Sequence, residues 1–190
     1  MPVFRLLWQL RTSGPVPRHP VVLAANHWSM LDPVVLGAVV GPVRYLAVDE
    51  LWGKSAFFDR FLVGFGAIEM SRTTVPLGAM KEALRTLAAG ISVGVFPEGR
   101  RVWTRGEAVP RRGAAWLAQQ SGVPLVPVAI SGTEHAWGRE SVFFRRWPVS
   151  IAFADPIHPG DYSGDVAGSW AMTEEWERRL DEAMEIAKRA

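Results

Sequence analysis

Apolar runs alternate along the chain with segments in which apolar positions recur every three or four residues, the pattern of buried strands alternating with amphipathic helices. "HPVVLAANH" (19–27) predicts a buried strand, "PVVLGAVVG" (33–41) a short helix, "VRYLAV" (43–48) a strand, "DELWGKSAFFDRFLVGFG" (49–66) a helix and "AIEMSR" (67–72) a strand. The alternation continues through a helix at "PLGAMKEALRTLAAG" (76–90) stopped by Gly90, a buried strand at "ISVGVFPEG" (91–99), a helix at "RRGAAWLAQQSG" (111–122) stopped by Gly122, and a strand at "PLVPVAISG" (124–132). Pro127 has no N–H to give a ladder, so that strand should carry a bulge or lie at an edge. "VSIAFADPI" (149–157) predicts a last strand, and residues 169–190 an amphipathic C-terminal helix with Trp170, Trp176, Leu180 and Met184 near one face.

Strands alternating with helices predict one α/β domain over residues 1–190, with a mostly parallel or mixed central sheet covered by helices on both faces. Reactive groups in such sheets collect beyond the carboxyl ends of strands, where His27 and Glu98 both fall. Within residues 1–14, "PVFRLLWQLR" sets Phe4, Leu7 and Trp8 along one stripe with arginines at its margins, as an interfacial amphipathic helix would.

Composition removes several chemistries. A chain of 190 residues with 48% hydrophobic side chains can bury one sizeable core. The absence of cysteine excludes disulfides, a thiolate nucleophile and Cys-ligated metal, and fits a cytosolic setting. The longest apolar run, "PVVLGAVVGPV", falls well short of the roughly 20 residues a membrane-spanning helix needs. The N-terminus carries Arg5 and Arg11 without a long apolar stretch or cleavage site, so no export signal is expected. Net charge is +2, yet the C-terminal segment from Trp170 is acidic and leaves +4 on residues 1–169. Arg100, Arg101, Arg105, Arg111 and Arg112 crowd thirteen positions, which suits an anionic partner or a solvated charged face.

The stretch "NHWSMLD" (26–32) holds one of the chain's four histidines five residues before an aspartate. Asp32 before Pro33 is a good helix start, with the aspartate as N-cap. Alternatively the turn folds back, the Asp32 carboxylate fixes the His27 tautomer, and the other imidazole nitrogen takes a proton from a substrate hydroxyl. The two readings differ in where the carboxylate points.

In order along the chain, "NHWSMLD", "GAIEMSR", "FPEGRR" and "VPLVPVAISG" resemble the four sequence blocks of the glycerol-phosphate and lysophosphatidic acid acyltransferase family, the first matching N-H-x4-D and the third F-P-E-G-x-R. The resemblance implies an acyltransferase-like α/β fold. It also implies transfer of a fatty acyl group from a thioester, on coenzyme A or acyl carrier protein, to the hydroxyl of a lysophospholipid. The expected acceptor is 1-acylglycerol-3-phosphate; glycerol 3-phosphate or another lysolipid or glycolipid is the alternative. Carried across by position, His27 is the general base and Asp32 its orienting partner, Glu98, Gly99 and Arg101 shape the acceptor site, and Arg72 meets the acceptor phosphate. A thioester is already activated, so no metal and no cofactor beyond the acyl-CoA or acyl carrier protein co-substrate is expected. The chain departs from the blocks at Arg100 and Val102, where Thr and Ser are frequent, and at Glu69 and Ser71, where an aromatic and an aspartate are common.

The remaining constellations are weaker. Ser131 and His135 in "SGTEH" lack the G-x-S-x-G elbow of a hydrolase, and His27, Asp32, Glu98 and His135 have no metal-binding spacing. The arginines with Trp103 interleave too sparsely for nucleic acid. Expected partners are therefore the acyl thioester, a glycerophospholipid and a membrane surface, with the protein peripheral and monotopic on the cytoplasmic face of the cell membrane. A second contact there is "FFRRW" (143–147). The reading from a different class is a lipid-binding membrane-surface protein without catalysis.

Overall fold

The computed structural model describes residues 8–18, 20–48, 52–53, 55–71, 77–138 and 143–190. Seven strands form one sheet: β1 (Arg11–Ser13), β2 (Val22–Ala25), β3 (Val43–Val48), β4 (Ala67–Met70), β5 (Ser92–Val95), β6 (Leu125–Ser131) and β7 (Ser150–Phe153), in the spatial order β1-β7-β6-β2-β5-β3-β4. All neighbours are parallel except β6 and β7, which pair antiparallel from Val128↔Phe153 to Ser131↔Ser150. Helices lying wholly among the described residues are α1 (Asp32–Val40), α2 (Ala56–Gly64), α3 (Leu77–Ala88), α4 (Gly113–Ser121), the single turn α5 (Thr133–Ala136) and α6 (Val166–Arg189).

Side-chain alternation sorts the strands between two cores. Val22 and Ala24 of β2 face α3, α4 and α6 together with Val93, Val95 and Ala129, whereas Leu23 and Ala25 face α1 with Val128, Ile130 and Phe153. Strand β2 is buried on both faces, which is why its sequence reads as one apolar run.

Four expectations change. Among the described residues of 49–66, Ala56–Gly64 are helical and Trp52 and Gly53 lie in a turn; residues 49–51 and 54 lie outside the described residues. Of the bulge or edge expected at Pro127, the bulge is found and the edge is not, because the residue lies on the internal strand β6. Its missing N–H faces the end of the β7 ladder, where Ala154 N still donates to Pro127 O at 3.0 Å and a bulge sets Asp155 and Pro156 opposite Val126 before Leu125 pairs Ile157. Trp170 is 43% exposed because six residues separate it from Trp176, which turns it off the buried stripe of Trp176, Leu180 and Met184. A helix through residues 1–14 is overturned at its end: Gln9 has φ 43°, and Arg11–Ser13 pair with β7 as a strand. Residues 1–7, with Phe4 and Leu7, lie outside the described residues.

Candidate active site

Strands β6, β2 and β5 are adjacent and parallel, so their carboxyl ends deliver three loops to one edge. Past β2, the buried Asn26 side chain donates to Ile130 O at 2.9 Å and accepts from Ile130 N at 2.8 Å. This lashes the start of the motif to β6 after the β2 ladder has ended. The turn that follows folds back on Asp32. Its Oδ2 accepts from Trp28 N and Ser29 N at 2.7 Å each and meets His27 Nδ1 at 2.9 Å, while Oδ1 accepts from Thr133 Oγ1 at 2.5 Å.

Asp32 is therefore not the helix cap. It belongs to the first turn of α1 beside Pro33, Leu31 takes the cap position without a side-chain bond, and the fully buried carboxylate collects donors from the turn behind it. Two main-chain N–H groups on Oδ2 require an acceptor there, so the His27 Nδ1 in the same cluster carries the proton. That leaves Nε2 with its lone pair open. The imidazole stacks on Phe96 at 4.1 Å and 23°, and its side chain keeps 16% exposure, enough for one face to meet a substrate.

Glu98 follows β5 in a turn closed by Gly99 at φ 68°, where an added Cβ would meet Arg111 Nε at 3.2 Å. Its side chain is 1% exposed; Oε2 accepts from His27 N at 2.8 Å, and Val102 N donates to His27 O at 2.9 Å. The segment 98–102 thus holds both main-chain groups of His27. Glu98 Oε1 is buried without a hydrogen bond, its cation being Arg105 Nη1 at 3.8 Å. Burial pushes the Glu98 carboxyl up to about 7, opposed by the His27 N–H and by Arg105 and reinforced by the charges of Asp32 and Glu107. Arg105 in turn binds Asp181 at 2.7 Å, approaches Glu177 at 4.0 Å and lies 5.7 Å over the Trp176 ring, while Trp176 Nε1 donates to Ala24 O at 2.9 Å. Helix α6 therefore braces the site from behind.

A carboxyl whose pKa rises on folding binds its proton more tightly in the native state. Its contribution to stability is full below about pH 4.5 and is lost as pH rises through about 7. Glu98→Gln removes this dependence. Thermal melts at pH 5 and pH 8 are expected to show the variant gaining on the wild-type protein toward pH 8, by an amount on the order of 3 kcal/mol. An equal difference at both pH values would refute the raised carboxyl.

The structure brings His27, Asp32, Glu98 and Gly99 together. Arg101 follows in the same loop and is half-buried, and Arg72 lies outside the described residues. Other arginines of the cluster serve the fold: Arg100 binds Glu107 at 2.7 Å, as Arg105 binds α6. Glu98, Gly99, Arg100 and Arg111 nonetheless border a pocket of about 270 Å³. Glu69 is exposed, so it does not point into the core against an anion. His135 is exposed against Trp147, with Glu134 as its carboxylate at 3.7 Å, so the Ser131–His135 pair gains no triad. No group of three metal-binding side chains occurs among the described residues.

Sequence reading missed Thr133, Asn26 and the Arg105–Trp176 brace. Thr133 sits inside the quoted "SGTEH", yet only the adjacency of β6 and β2 carries it to Asp32.

An α/β sheet that carries an N-H-x4-D turn past the carboxyl end of a central strand places the chain among acyltransferases. The chain belongs to the Acyltransferase family, whose profile matches residues 9–131. It is 30% identical over 166 residues to the 1-acyl-sn-glycerol-3-phosphate acyltransferase of Bacillus subtilis, covering 85% of this chain and 79% of that protein. To the human 1-acyl-sn-glycerol-3-phosphate acyltransferase alpha it is 32% identical over 146 residues, covering 74% of this chain and 51% of the relative. The chain thus spans about half the length of several curated relatives. The crystal structure of the 1-acyl-sn-glycerophosphate (LPA) acyltransferase PlsC from Thermotoga maritima superposes with a TM-score of 0.71 at 25% identity, covering 95% of this chain and 75% of that one.

Proposed function

We propose that the protein transfers a fatty acyl group from an acyl thioester to the free hydroxyl of 1-acylglycerol-3-phosphate, giving phosphatidic acid. The observation that carries this reading is the His27–Asp32 pair past the carboxyl end of β2, with Nε2 left open, in a chain of the Acyltransferase family. His27 stacks on Phe96 at 4.1 Å, Phe96 lies 6.4 Å from Tyr45 and Tyr45 lies 5.5 Å from Phe65. Tyr45 and Phe65 also line a groove of about 420 Å³ between α1 and the end of α2, at the amino ends of β3 and β5 and so at the opposite edge of the sheet from His27.

His27 Nε2 takes the acceptor's hydroxyl proton as the oxygen attacks the thioester carbonyl. Asp32 compensates the imidazolium that forms, and the thiol of coenzyme A or acyl carrier protein leaves with the proton. Arg72 and Arg101 meet the acceptor phosphate, since a planar guanidinium can bind it bidentately. Among the described residues no helix is long and apolar enough to cross a membrane, and the protein works as a peripheral, monotopic enzyme on the cytoplasmic face.

A radiolabelled acyl-transfer assay is expected to give phosphatidic acid from the lysolipid and little product from glycerol 3-phosphate. Arg101→Ala should raise the KM for the acceptor far more than for the donor. Lipid binding without turnover would instead make the protein a non-catalytic lipid binder.

A further inference from the structure

We infer that residues 143–147, with Trp8 and Trp137 behind them, form the surface that seats the protein on an anionic bilayer beside the mouth of the active site. The inference rests on the lipid-acceptor reading and names the partner of that site.

"FFRRW" joins α5 to β7, and because β7 runs antiparallel to β6 the segment lies at the sheet edge that carries His27. Phe143 is 79% exposed, Phe144 58% and Trp147 47%, a concentration of large apolar surface beyond the scattered single residues normal on a protein. The segment is nonetheless held in place. Trp8 Nε1 donates to Arg145 O at 3.1 Å, Arg145 N donates to Ala136 O at 2.8 Å, and Phe144 packs on Trp137 at 4.5 Å. Rings fixed in place yet left in solvent suit the headgroup depth of a bilayer, where aromatic side chains concentrate.

Charge selects the occupant. Arg145 and Arg146 sit between the rings, and no acidic residue occurs from Phe143 to Val149. Guanidiniums beside aromatic rings complement lipid phosphates at that depth.

Two links join the segment to the catalytic turn. Ser29 Oγ donates to Trp137 O at 2.6 Å, and Gly132, at φ 92° immediately before Thr133, runs so close under Pro148 that an added Cβ would collide with the Pro148 carbonyl. A bilayer met by residues 143–147 therefore lies against the loop that binds Asp32. A lysolipid can then reach His27 with its acyl chain still in the lipid.

The chain has no cysteine, so a single introduced thiol can be labelled uniquely. Phe143→Cys, carrying an environment-sensitive fluorophore, should blue-shift on vesicles of phosphatidylglycerol and phosphatidylcholine (1:3), whereas the same label at Ile186→Cys, exposed on α6, should not. Arg145→Gln/Arg146→Gln should lower sedimentation with these vesicles roughly tenfold at low salt and leave pure phosphatidylcholine vesicles unaffected. Phe143→Ser/Phe144→Ser should weaken both. With a short-chain acceptor in true solution the variants should turn over like the wild-type protein, and with vesicle-embedded acceptor they should lose most activity. An unshifted label at position 143, or a shift at position 186, would overturn the inference. So would unchanged sedimentation with a raised KM for acyl carrier protein thioester alone, which would make the segment a carrier-protein dock. A wild-type protein inactive on both acceptors while the position-143 label still shifts would sink the acyltransferase reading and leave the membrane surface standing.

Discussion

Replacing His27 with alanine is expected to lower kcat by about 10² to 10⁴ while the fold is kept, the range that a positioned general base supplies. The side chain donates no bond that the fold depends on: its Nδ1 meets Asp32, which keeps three other donors, and its ring covers Phe96. The main-chain contacts to Glu98 and Val102 survive in alanine, so the acceptor KM should change little. Single-turnover acyl transfer together with a thermal melt checks this. Near-normal turnover in a folded variant would remove His27 from the chemistry.

The second large effect is at Asp32. Asparagine is nearly the same shape, and Thr133 can reverse its hydroxyl to accept from the new amide, so Asp32→Asn should stay folded. It should still lose on the order of 10³ in kcat, because a neutral amide cannot compensate the imidazolium that forms. Were Asp32 only a helix cap, the same change would be nearly silent, since asparagine caps about as well. Thr133→Val separates support from chemistry: it strands the buried Oδ1 at a cost of about 1–3 kcal/mol of stability and should lower kcat far less than Asp32→Asn. Equal activity losses in the two variants would mean that Asp32 acts only by holding the turn.

The periodicity of "HPVVLAANH" and "PLVPVAISG" was enough to place β2 and β6, because a strand buried on both faces must be apolar throughout. The His27–Asp32 pair was equally legible, since five residues lie within reach of one turn. What escaped was set by contacts between distant segments. Trp170 has the composition of a core residue, and only its angle from Trp176 turns it outward. Thr133 reaches Asp32 across 101 residues and Trp176 reaches Ala24 across 152, pairings fixed by strand order and invisible to local pattern. Arg105, one of five arginines that looked alike as a cluster, is distinguished by the α6 carboxylates it meets.

The strand order also bears on synthesis. Both neighbours of β2, strands β5 and β6, lie downstream of it, at Ser92–Val95 and Leu125–Ser131. At roughly 5–20 residues per second, the nascent chain carries a wholly apolar β2 without a partner for about 3–14 s until β5 emerges, and with one edge open until β6 follows, about 5–20 s after β2. The histidine turn cannot close before then, because Asn26 and Asp32 wait for Ile130 and Thr133. Slowed elongation between these segments prolongs the exposure of a sticky edge, so the yield of active enzyme should depend on translation speed and chaperone supply even where the finished fold is unaltered.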